Sequence, residues 1–78
     1  MKESLQLIDH LFTLGINPDD FFCIKVEDKR VTYIGKCNTK VLRLLQDLNC
    51  KMEYDSARMW LCAKENINGV IVDFTLSL

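Results

Sequence analysis

Several things are scarce in this chain. Proline occurs once and glycine three times among 78 residues, too little of either for a disordered tail. Neither sign of charge is in surplus: ten basic residues stand against eleven acidic ones, for a net charge of −1. A general nucleic-acid binder shows a basic excess, so this balance argues against that role. No apolar run approaches the length of a membrane span. The opening segment MKESLQLIDHLFTLG carries Lys2, Glu3 and Asp9, which interrupt the apolar centre that a signal peptide needs. A cytoplasmic protein is therefore expected.

Metal and nucleophile chemistry are equally short of material. His10 is the only histidine. The four cysteines, Cys23, Cys37, Cys50 and Cys62, are separated by eleven to thirteen residues, so no C-x-x-C knuckle exists. They read as reduced, small hydrophobes, and neither a metal site nor a cofactor is expected. A cysteine or serine nucleophile needs a base in reach. The neighbour of His10 is Asp9, and adjacent helix positions diverge by about 100°, so Asp9 cannot orient it. Asp19 and Asp20 follow Pro18 as turn residues. No catalytic residue is assigned, and the chain reads as non-enzymatic.

What is abundant is apolar surface: 49% of the residues are hydrophobic. A chain of this length hides only about 60–65% of its unfolded surface, so one small domain over residues 1–78 with a marginal core is expected. From Lys2 to Leu14, Leu5, Ile8, Leu11 and Phe12, with Leu7 and Leu14 one stripe round, have helical spacing and a broad apolar face. Gly15, Ile16 and Pro18 then stop the helix. DFFCIKVEDKRVTYIGK reads as a hairpin in which Phe22, Ile24 and Val26 share one face and Glu27 to Arg30 make the turn. A second helix starts at Asn38 or Thr39 and runs to about Leu48, with Val41, Leu44, Leu45 and Leu48 in one stripe and Asn49 beyond its end. Three strands follow. Asn68-Gly69 is a hairpin signal, and Val70, Val72, Phe74, Leu76 and Leu78 alternate after it.

The order α-β-β-α-β-β-β predicts a two-layer α+β fold, with both helices on one face of a mostly antiparallel five-stranded sheet. The helix–LGI–hairpin and helix–LNC–hairpin segments echo each other, without enough identity for a repeat.

Two surfaces become candidates. IGKCNTK leads from a strand through Gly35 into a helix start, an arrangement that favours an anion, with Lys36, Asn38, Thr39 and Lys40 in reach. It lacks the P-loop pattern, since Arg30 and Cys37 occupy positions where glycine and a Mg²⁺-binding hydroxyl belong. The reading here is a capped turn. The second candidate is the sheet face away from the helices. With Phe22, Ile24 and Val26 covered, an apolar interaction face would comprise Phe21, Cys23, Ile34 and Ile71. It would also take either Trp60 and Cys62 or Met59, Leu61 and Ala63, because RMWLCAK is apolar on both sides; Met59 and Leu61 are the chosen pair. The last strand, apolar to Leu78 and free of proline, offers an edge.

These features predict a small protein-binding or regulatory module that pairs with a protein partner or with itself as a homodimer, through that open face or the C-terminal edge strand. The alternative is a single-stranded nucleic-acid binder that stacks bases on Phe21, Tyr33 and Trp60 beside Lys25, Lys36, Lys51 and Arg58. The acids Glu53, Asp55 and Asp73 weaken it.

Overall fold

The computed structural model describes residues 1–78. The elements are α1 (Lys2–Thr13), a single 3₁₀ turn at Pro18–Asp20, β1 (Phe21–Glu27), β2 (Arg30–Lys36), α2 (Thr39–Asp47), β3 (Lys51–Asp55), β4 (Trp60–Ile67) and β5 (Val70–Ser77). The expected order and two-layer α+β architecture are both present. No helix is long and apolar enough to cross a membrane.

The two helices end by the same device. At the end of α1, Gly15 N–H donates to Phe12 C=O and Ile16 N–H to Leu11 C=O; at the end of α2, Asn49 donates to Gln46 and Cys50 to Leu45. Both are Schellman stops, with the left-handed residue at Gly15 (φ +104°) and at Asn49 (φ +57°). The next residue, Ile16 or Cys50, folds back into the core. The LGI and LNC echo is thus one structural motif used twice. At its start α2 is capped by Asn38, whose side-chain oxygen accepts from Val41 N–H at 2.9 Å.

The sheet order is β1-β2-β5-β4-β3, with β2 and β5 parallel and every other pair antiparallel. This corrects one expectation. The C-terminal strand is no edge; it is the central strand, hydrogen-bonded on both sides. Its inward face explains the position, because Val70, Val72, Phe74 and Leu76 are all buried and need neighbours on both flanks. The true edges are β1 and the short β3.

Leu7 and Leu11 of α1, Val41 and Leu45 of α2, and the two stop residues close over Val31, Tyr33, Ala63 and the inward face of β5. Ser4, also buried, donates its hydroxyl to Glu27 C=O at 2.6 Å and ties α1 to the end of β1. The apolar face expected for α1 divides: Leu7 and Leu11 are buried, whereas Leu5 and Phe12 remain exposed.

A second correction concerns β1. A bulge falls between Phe21 and Cys23, so alternation restarts there. Phe21, not Phe22, turns under the helices, where its ring packs on Tyr33 with centroids 4.9 Å apart. Phe22 is left 75% exposed. Ile24 and Val26 point inward as expected.

Candidate interaction surfaces

On the uncovered face, register fixes which residues meet. One row crosses all five strands as Lys25, Thr32, Asp73, Lys64 and Lys51. Cys23, Ile34, Thr75, Cys62 and Glu53 form the row beside it. The sheet's twist makes this face a trough of about 770 Å³, lined chiefly by charged side chains that include Lys25, Arg30, Lys51, Glu53, Lys64 and Asp73.

The charges in the trough are unevenly matched. Arg30 Nη2 lies 2.5 Å from Asp73 Oδ2, so those two neutralise each other. Lys25, Lys51 and Lys64 have no carboxylate within ion-pair distance. Lys51 and Lys64 are directly opposed across the β3–β4 ladder, an arrangement that costs stability in the free protein.

Of the residues expected on an apolar interaction face, Cys23, Ile34 and Ile71 do lie on the open side, with Ile34 and Ile71 half-buried. Phe21 and Leu61 do not. Phe21 turns inward at the bulge, and Leu61 pairs with the buried Leu76 and packs against the core. Within RMWLCAK the open residues are therefore Trp60, Cys62 and Lys64. Met59 stands exposed in the β3–β4 turn at φ +57°. The open face is more polar than its sequence suggested, and much of the exposed apolar surface sits on α1 instead.

The nucleic-acid alternative loses its stacking platform by the same geometry, since Phe21 and Tyr33 lie beneath the helices and Trp60 alone faces out, with the Arg58 guanidinium 5.5 Å from its ring centre. Nor does the IGKCNTK turn gather its four candidates. Lys36 projects on the open face, the Asn38 oxygen is occupied by Val41 N–H, and Lys40 pairs with Asp20 at 3.2 Å. Gly35 serves packing, because Phe21 crosses where its side chain would be. This loop turns the chain.

Displaced ionisations do not converge on a recess. Burial pushes the Tyr33 phenol up to about 12. Burial, with help from the charge of Glu65, raises the Cys50 thiol. The N-terminal ammonium, bonded to Asp28 at 2.8 Å, lowers that carboxyl. His10 lines a separate recess with Glu3, Gln6 and the β4–β5 turn. No three His, Cys, Asp or Glu side chains group as metal ligands would.

No protein-family model, curated protein or solved structure matches the chain.

Proposed function

We propose that this is a small non-enzymatic protein-binding module of the cytoplasm, self-associating, which docks an acidic segment of a partner protein in the trough of its open sheet face. The observation that carries this reading is the opposition of Lys51 and Lys64, neither of them ion-paired, with Lys25 at the far end of the same row. A like-charge cross-strand pair lowers stability, and an anionic partner converts that cost into affinity. The acids Glu27, Glu53 and Asp73 share the trough. They favour a peptide, whose carboxylates can be spaced to avoid them, over a uniformly charged phosphate chain.

The test is a fluorescence-anisotropy titration with a Glu- and Asp-rich peptide beside a single-stranded oligonucleotide. The peptide should bind, weaken as salt rises, and lose about tenfold or more in affinity when Lys51 and Lys64 are both changed to threonine. That variant should fold at least as stably as the parent, since it removes the repulsion. A peptide that does not bind, or binds the variant equally, rejects the reading; tighter binding of the oligonucleotide moves it to nucleic acid.

A further inference from the structure

Helix α1 has more apolar surface than the core uses. Leu7 and Leu11 are buried against the sheet. Leu5, Ile8 and Phe12 form a second stripe, roughly 100° further round the helix, in which Leu5 is 53% and Phe12 56% exposed, while Ile8 between them is half-buried with one side against the core. Met1 extends it, so that Met1, Leu5, Ile8 and Phe12 follow the alternating four-and-three spacing of a helix–helix seam.

Its direction follows from the rest of the helix. Glu3, Gln6 and His10, on the opposite flank, line the recess beside Ile67, Asn68 and Val70. Leu14, just past the end of α1, lines a recess with Leu44 of α2 and Leu48 just beyond that helix. The stripe therefore looks away from α2, along the margin of the edge strand β1.

Charge identifies what fits there. Lys2 and Asp9 stand seven residues apart on the solvent side of the stripe, both exposed and neither ion-paired within the chain. Two copies of α1 laid parallel would turn Lys2 and Asp9 of each towards the Ser4 and Leu11 flank of the other, which is already buried on its own sheet, and would form no ion pair. Laid antiparallel about a two-fold axis, they set Lys2 of each copy beside Asp9 of the other, while Leu5 meets Ile8 and Met1 meets Phe12 across the seam. A helix this short would not pair by itself. Here each helix is already held on its own sheet by the buried Leu7 and Leu11, so pairing costs little ordering.

We infer that the protein forms a two-fold dimer by antiparallel pairing of α1, through Leu5, Ile8 and Phe12 and two reciprocal Lys2–Asp9 ion pairs. This rests on the self-association part of the reading above and is independent of the trough, which the dimer leaves open on both copies.

Sedimentation equilibrium of the full chain over a micromolar concentration series tests it. The protein should be a dimer, and Leu5→Glu or Phe12→Glu should weaken it about tenfold or more with an unchanged circular dichroism spectrum, because both side chains are already exposed. Lys2→Glu and Asp9→Lys should each weaken it by roughly two- to fivefold per ion pair lost, and the double variant should recover the parent's affinity. Two folded apolar-to-charge variants that remain dimers would overturn the inference while leaving self-association through another face standing. A parent that is monomeric at high micromolar concentration would overturn both. Charge variants without recovery in the double would overturn the antiparallel arrangement.

Discussion

Phe21 lies so close over Gly35 that a side-chain carbon at residue 35 would come within 2.9 Å of the Phe21 ring and 3.1 Å of its Cα. The ring cannot swing aside, because it is held against Tyr33 and Phe74 at centroid distances of 4.9 and 6.1 Å. Gly35→Ala should therefore cost about 1–3 kcal/mol through overpacking, read as a lower urea midpoint at unchanged slope. Gly69→Ala provides a contrast: nothing lies within 4 Å of its missing side chain, so its cost comes only from the left-handed backbone. An alanine at 35 that leaves the midpoint in place would mean the bulge in β1 is not as described.

Tyr33 is wholly buried and stacks on Phe74 at 4.9 Å, yet its hydroxyl has no hydrogen-bond partner. An unpaired buried hydroxyl is a cost, so Tyr33→Phe should stabilise the fold by about 1 kcal/mol at neutral pH. The pH dependence has a definite sign. The phenol ionises near 10 when unfolded and at about 12 when folded, so the folded state disfavours the anion. The contribution from this residue is intact below pH about 10 and is lost as pH rises towards 12. The gap between the phenylalanine variant and the parent should therefore widen from pH 7 to pH 11 in urea melts. A variant less stable than the parent at pH 7 would show that the hydroxyl has a partner.

Much of this fold was legible because its signals are local. The α1 stop, the Asn38 cap, the Asn68-Gly69 hairpin and the alternation of Val70, Val72, Phe74 and Leu76 each lie within a few residues. What escaped depends on distant residues. Two adjacent phenylalanines leave alternation undecided, and only the approach of Phe21 to a glycine fourteen positions away decides it. A glycine inside a strand was the available clue. The central position of β5 and the opposition of Lys51 to Lys64 follow from strand pairing, which no local spacing encodes. The second stripe on α1 was visible, but with Leu5, Ile8, Leu11 and Phe12 read as one broad face, nothing showed that the sheet would cover only part of it.

The paired helix stops yield a final expectation. Residues 15 and 49 occupy the same place in the same motif, one glycine and one asparagine, both with positive φ. The left-handed conformation costs an ordinary side chain about 1–2 kcal/mol, while asparagine is among the few that adopt it readily. Gly15→Ala should lose about that amount, and somewhat more because the new methyl would sit 3.3 Å from Leu44 Cδ2. Asn49→Ala should lose roughly 1 kcal/mol, whereas Asn49→Gly should gain about 0.5 kcal/mol, the relief of backbone strain slightly exceeding the added entropy of the unfolded chain. Urea denaturation of the three variants ranks them. If Asn49→Ala matches the parent, residue 49 does not hold the left-handed turn that sends Cys50 into the core, and the equivalence of the two stops fails with it.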